Sequence, residues 1–239
     1  MQQRNSTLLN WWNDVCEIHT RVCEVPAEEG KPSGKPLNIC FLSPYHTGSH
    51  RAHISGYSKH TKHNLTVLSL PGQYWKHRMN MGAIALAEQY VNLVREQRAK
   101  PDGTHFHFDM IMGTDMLDMS SFVAQSRRFI DFDRTCLVTY MHENQLTYPE
   151  PINAQNGVFR RNNGHRESQY ISLNYKSQMA NDFILFNSQF HLDSWFRALP
   201  KFLNSARDQK MMHTVDELRS KSSVLHVGIE LSDRARTVT

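Results

Sequence analysis

Four hydrogen-bonding side chains, His142, Glu143, Asn144 and Gln145, follow one another directly after the apolar run 135–140 (TCLVTY). Such a set supplies the donors and acceptors a sugar acceptor needs, and His142 or Glu143 can serve as general base or orient a hydroxyl. It is not the HExxH of zinc proteases, because Leu146 stands where the second histidine would be. Gly48, Ser49 and His50 follow another apolar run and enter a helical stretch. Amides at a helix N-terminus suit a phosphate and glycine permits close approach; the same residues also suit a plain strand–helix turn. They match neither GxGxxG nor a P-loop, so no dinucleotide or Walker site is implied. Trp75, Lys76, His77 and Arg78 set an aromatic ring beside a cationic cluster. That grouping fits a stacked base or sugar next to a phosphate, or a solvated helix start with a half-buried Trp. The pairs His50/His53 and His105/His107 have metal-chelating spacings but no assembled third ligand, so no metal site is expected. No Ser-His-Asp order or nucleophile elbow occurs. Asn187 and Ser188 complete the polar candidates, after a further apolar run.

What positions these residues is a regular alternation of elements. Six short, nearly continuous apolar runs read as strands covered on both faces: 37–42, 65–70, 108–112, 135–140, 183–186 and 223–227. Between them, Ile84, Ala87, Val91 and Val94 repeat at helical steps, as do Leu192, Trp195, Phe196 and Leu199 after the cap pair Asn187-Ser188. A third such helix is centred on Ile171, Tyr175 and Met179. Strand–helix alternation repeated five times predicts an α/β fold with a doubly wound, Rossmann-like parallel sheet. Ligands bind such sheets at the carboxyl ends of the strands, where the polar candidates fall.

Residues 1–36 read as an extension, with a short amphipathic helix at 8–18 and a Pro/Gly-rich linker at 26–36. Its four basic and five acidic groups give −1, which leaves +5 of the net +4 for residues 37–239. A mildly basic domain allows a phosphate-rich partner without demanding one. The composition, 39% hydrophobic and 21% charged, excludes disordered and collagen-like classes. No apolar run approaches the ~20 residues of a membrane span, and no secretory-signal layout is seen at the N-terminus. Cys16, Cys23, Cys40 and Cys136 fit no zinc spacing, and two lie in strand-like runs. A cytoplasmic, reducing compartment with no membrane partner is the expectation.

In order along the chain come the loop ending in Gly48-Ser49-His50, then LPGQYWKHRMNMGAIALA (70–87), MHENQLTYP (141–149) and FNSQFHLDSWF (186–196). Together they resemble the N-terminal domain of the tRNA-queuosine mannosyltransferase family, glycosyltransferase-like proteins of the GT-B fold. HENQ-x-x-YP and FNS-x-F are the most specific parts. The resemblance implies a two-domain enzyme that moves mannose from GDP-mannose to the cyclopentenediol of queuosine in a tRNA-Asp anticodon, without cofactor or divalent metal. By motif match, Gly48, Ser49 and His50 face the donor diphosphate, and His142 and Glu143 lie near the transferred sugar and the acceptor hydroxyl. Asn144, Gln145, Trp75, Lys76, His77 and Arg78 contact the acceptor, and Asn187 and Ser188 line the same pocket. The family pattern has Gly-Gly-Ser-His in the first loop; Thr47 stands in place of its first glycine here.

On this reading residues 37–233 are the acceptor-side half of a GT-B enzyme and 234–239 begin the interdomain linker. The donor half would lie elsewhere, so the chain reads as a truncated product, a fragment or one part of a split enzyme, inactive alone and partnered by a separate donor-domain chain where the enzyme is split. Basic residues expected near the acceptor loops, Lys76, Arg78, Arg127, Arg128, Arg160, Arg161 and Arg166, favour a tRNA acceptor. The alternatives are a GT-B transferase with a lipid or polysaccharide acceptor, a non-catalytic tRNA-binding module, and an inactive folded remnant.

Overall fold

The computed structural model describes residues 36–103, 105–148 and 165–228, with side chains between 165 and 228 described from Gln169 onward. The expected helix at 8–18, the linker up to residue 35 and the segment 234–239 lie outside the described residues. Twelve elements follow in order: β1 (Asn38–His46), α1 (Gly48–His60), β2 (Asn64–Pro71), α2 (Trp75–Arg98), β3 (Met110–Thr114), α3 (Met119–Ser126), β4 (Cys136–Met141), α4 (His165–Met179), β5 (Phe183–Phe186), α5 (Gln189–Leu203), α6 (Thr214–Ser220) and β6 (Ser222–Val224). The strands form one sheet in the order β2-β1-β3-β4-β5-β6, and every pairing is parallel. The expected α/β, Rossmann-like sheet is therefore present, and all six predicted strands are found.

Burial on both faces explains why the strands read as apolar runs. Cys40 and Leu42 of β1 and Ile111 of β3 share a core with Leu86, Tyr90 and Val94 of α2 and Phe122 of α3. The alternate residues Ile39, Phe41, Met110 and Met112 pack with Ile54 of α1. At the other end of the sheet, Met141, Ile184 and Phe186 pack with Trp195, Phe196 and Leu199 of α5. The Cys40 and Cys136 thiols are buried and free, and burial raises the pKa of both.

Three local readings change. In α2 the buried stripe is Met79, Gly82, Ala83, Leu86, Ala87, Tyr90 and Val94; Ile84 is 46% exposed. The helix begins at Trp75, and Gly82 sits so close to Pro44 that a Cβ there would lie 2.9 Å from the proline Cβ, which turns Ile84 outward. Helices α3 and α6 were not anticipated, because eight and seven residues burying two or three side chains leave little periodicity. Arg127 and Arg128 are not beside the carboxyl-end loops. They follow α3 in the connection leading back to the start of β4, where Phe129 accepts a hydrogen bond from Arg98 at the far end of α2.

After β1 the chain crosses to β2 at the sheet edge, then returns past β1 to β3. The switch point is thus between β1 and β3. Two loops at this edge interlock. A Cβ on Gly72, after β2, would overlap Cβ and Cγ2 of Thr47, after β1. Thr47 is extended (φ −154°, ψ 173°), a conformation any residue adopts; only Gly48, at φ +51°, uses glycine's left-handed freedom. Thr47 therefore costs the turn nothing and fills the space Gly72 leaves. Gly72→Ala is expected to destabilise the fold by about 1–3 kcal/mol in urea melts, and adding Thr47→Gly to recover most of that loss; no recovery would show that the overlap is not the cause.

Candidate functional site

The loops after β3, β4 and β5 are tied together by a polar frame. The Asp115 carboxyl, 2% exposed, accepts the His142 backbone N–H at 2.9 Å. Asn174 of α4 donates to the Asp115 carbonyl at 2.8 Å and accepts from the Gln145 N–H at 2.9 Å, so one amide spans both loops. Asn187 donates to the His142 carbonyl at 2.7 Å. Its Oδ1 then faces Nδ1 of His191 at 3.0 Å, so Nδ1 carries the proton and Nε2 is left as a lone pair. Ser188 caps α5 by accepting from the His191 N–H.

Histidines converge on this frame from three strand ends. The His50 and His142 rings lie 4.3 Å apart, and His53 stands edge-on to His142 at 5.2 Å while stacking on Tyr140 at 4.2 Å. His142 Nε2, His50 Nδ1 and His191 Nε2 are buried without a hydrogen-bond partner among the described residues. Burial, then the neighbouring histidines, push His142 down to about 2. Burial chiefly, with His46 adding to it, pushes His50 down to about 4; burial pushes His191 to about 4 against the opposing pull of the Met141 carbonyl. All three are neutral at pH 7. Among the described residues no group of three or more His, Cys, Asp or Glu is arranged to hold a metal ion.

Carboxyl groups in the same place are shifted the opposite way. Burial, then the nearby Glu143, raise Asp115 to about 8 against the backbone N–H groups that favour its charge. Burial also raises Glu143, opposed by Gln145, whose amide is 3.4 Å from Glu143 Oε1. Near pH 7 Asp115 thus holds a proton, which leaves Glu143 as the carboxyl free to ionise.

An open cleft of about 240 Å³ lies over the frame, lined by His142, Glu143, Asn144, Asn187, Ser188 and His191, with Thr147, Tyr148, Phe190 and Ser194 at its margin. The structure therefore brings together His142, Glu143, Asn144, Asn187 and Ser188, with His50 in ring contact beneath. Asn144 is 4% exposed, and its Oδ1 is taken by the Thr147 N–H and hydroxyl, so its acceptor oxygen shapes the loop. Gly48 and Ser49 are exposed at the start of α1, a helix with no acidic residue in its first turn, which leaves the terminus open to an anion. Trp75, Lys76, His77 and Arg78 do not line the cleft. Trp75 packs on Tyr170 of α4 at 5.3 Å with Lys76 over its ring, and Arg78 donates to the Pro71 carbonyl. Tyr45, packed against Tyr170 and Met79, connects that cluster to His50 through a ring contact of 6.3 Å.

His53, His191, Asp115 and Asn174 were missed as site residues by reading the sequence. Asp115 had a signal, its place directly after β3. Asn174 had none beyond being a polar residue on the inner face of a helix that also buries Ser177 and Gln178.

A parallel six-stranded sheet with a polar cleft at the carboxyl ends of its strands defines a Rossmann-like α/β domain. Residues 38–229 match the family model described as tRNA-queuosine alpha-mannosyltransferase N-terminal, and the chain belongs to that family through this domain. It is 26% identical over 190 residues to the tRNA-queuosine alpha-mannosyltransferase of Drosophila melanogaster, an alignment covering 79% of this chain and 44% of that protein. The chain thus spans less than half the length of that curated relative. No described helix is long and apolar enough to cross a membrane.

The shifted groups make stability depend on pH in both directions. Neutral histidines bind fewer protons folded than unfolded, so their contribution falls as pH drops from about 6.5 toward 4. Asp115 binds a proton the unfolded chain has lost, so its contribution falls as pH rises from about 4 to 8, by at most about 1.4 kcal/mol per pH unit. Asp115→Asn keeps the acceptor for His142 and removes the second loss. Its melting temperature is expected to exceed that of the unchanged chain at pH 8, with the gap closing toward pH 4; a gap independent of pH would contradict a protonated Asp115.

Proposed function

We propose that this domain is the acceptor-side half of a GT-B glycosyltransferase that transfers mannose from GDP-mannose to the cyclopentenediol of queuosine in tRNA-Asp. The observation that carries the reading is the His142–Glu143 cleft at the carboxyl edge of the sheet, in a chain belonging to the tRNA-queuosine alpha-mannosyltransferase family. The donor is proposed to be held between this domain and a second Rossmann-like half, in the same polypeptide or in a separate chain. A tRNA substrate and free buried thiols suit the cytoplasm.

In the proposed reaction the bond from the sugar C1 to the diphosphate breaks and GDP leaves with the bonding pair, an acceptor hydroxyl oxygen bonds to C1, and its proton passes to Glu143 and from there to water. No cofactor or divalent metal is assigned to this step. The exposed N-terminus of α1 at Gly48 and Ser49, with His50 behind it, would meet the diphosphate. Its amides supply positive potential without a cation. Neutral His142 would face the transferred sugar, and Glu143, held by Gln145, would accept the hydrogen bond of the attacking hydroxyl. Asn187, Ser188 and His191 leave further polar atoms at the cleft for the diol. Trp75, Lys76, His77 and Arg78 would contact the acceptor tRNA away from the reacting group.

Gel-shift titration with queuosine-containing and queuosine-free tRNA-Asp across a salt series tests the acceptor assignment. Tighter binding of the modified tRNA is expected, with both affinities falling as salt rises; equal binding would count against the assignment. In an enzyme complete with its donor half, His142→Ala is expected to lower transfer on the order of 100-fold, and unchanged transfer would remove the role given to His142.

A further inference from the structure

The cleft margin carries two large rings that the fold does not use. Phe190, in the first turn of α5, is 82% exposed, and Tyr148, in the loop after β4, is 55% exposed. Neither ring belongs to a hydrophobic core cluster among the described residues. Both line the same cleft as His142 and Glu143. Their placement is built. The Thr147 hydroxyl lies 3.5 Å from that of Ser194, and Ser194 is one helical turn beyond Phe190 on the same face. The contact holds the β4 loop against α5, with Tyr148 next to Thr147 and Phe190 beside the same seam. Phe190 is anchored from behind: its neighbours Gln189 and His191 are fixed to Asp193 and Asn187.

We infer that Tyr148 and Phe190 form a stacking platform for a nucleobase of single-stranded RNA, at the rim of the cleft that holds the reacting group. The inference rests on the RNA-acceptor reading above and names what it lacks, the surface that takes a planar ring. An exposed ring costs hydration, and a flat π-face beside it recovers that cost for any base. The other residues lining the cleft bring a carboxyl, imidazoles, amides and hydroxyls rather than aliphatic side chains, which matches a heterocycle bearing polar edges and hydroxyls. A docking surface for another protein would instead need a contiguous apolar patch, and here the two rings share their cleft with polar groups. The platform is uncharged, so its contribution to affinity is independent of salt, unlike that of Lys76 and Arg78.

Gel shifts with the full chain, using tRNA-Asp with and without queuosine, test this through Phe190→Ala, Phe190→Leu, Phe190→Trp and Tyr148→Ala. Stacking predicts that Phe190→Ala and Tyr148→Ala each weaken binding of both tRNAs about tenfold, with the salt slope unchanged. It also predicts that Phe190→Trp retains affinity, whereas Phe190→Leu does not. Exposure of both rings means that these changes spare the fold, checked by an unchanged melting temperature. Affinity unaltered in the alanine variants overturns the platform, even where the chain prefers the queuosine tRNA and the acceptor reading stands. A chain with no preference for queuosine but a tenfold loss on Phe190→Ala keeps the platform and sinks the acceptor reading. Leucine matching phenylalanine turns the site into a hydrophobic contact and overturns stacking, and binding of neither tRNA overturns both.

Discussion

The Asp115 carboxyl, closed off from water at the end of β3, takes the His142 N–H at 2.9 Å, and the site depends on that contact. Residues 142–148, the described part of the loop after β4, hold no helix or strand, so their backbone groups need partners from elsewhere. Asp115, Asn174 and Asn187 supply them at successive points: the His142 N–H, the Gln145 N–H and the His142 carbonyl. These partners come from three different elements, after β3, on α4 and after β5. A backbone held from three sides presents the His142 and Glu143 side chains at a fixed angle to the cleft, which is what preorganisation requires. Buried polar frames of this kind are stable only when nearly every member is satisfied, and the satisfied members here are those that face inward.

The members left open are ring nitrogens. Three histidine nitrogens without partners sit within a frame whose other donors and acceptors are matched. Each such nitrogen forfeits hydration on folding. Burial chiefly disfavours their protonation, and at His142 the neighbouring His50, His53 and His191 add to it. The outcome is a cluster of histidines that stays neutral at pH 7. Asp115 follows the same logic with the opposite sign. Its retained proton spares Glu143 a like charge at close range, and so one of two carboxyls is available to accept a hydrogen bond.

Much of the architecture was readable in the chain because parallel strands buried on both faces leave unbroken apolar runs, and polar residues just past them fall at one edge. That reasoning located His142, Glu143, Asn187 and Gly48 without coordinates. It failed where burial is polar. The inner face of α4 carries Asn174, Ser177 and Gln178, which a periodicity search scores as solvent-facing, yet Ser177 bridges Met119 and Leu117 from that buried position. It failed again at His191, one helical turn from a recognised cap and indistinguishable from a surface histidine until Asn187 is seen beside it. Arg127 and Arg128 were misjudged for a topological reason: a basic pair near a strand boundary lies at either edge of a sheet, depending on whether the strand is entering or leaving.

Position relative to the frame also separates the aromatic residues. Trp75 is partly covered, resting on Tyr170 and continuous through Tyr45 with His50, so a change there is transmitted inward. Tyr74, beside it, sits in left-handed backbone at φ +55° with its ring 77% exposed, a conformation that non-glycine residues hold only when the surroundings enforce it. The enforcement comes from both sides, since Gly72 is pressed against Thr47 and the Arg78 N–H closes on the Tyr74 carbonyl at 3.1 Å. The interlock of the first two loops thus does more than fill space. It sets where α2 begins, hence which side of that helix is buried, and so how Tyr45 and Met79 support His50 from below.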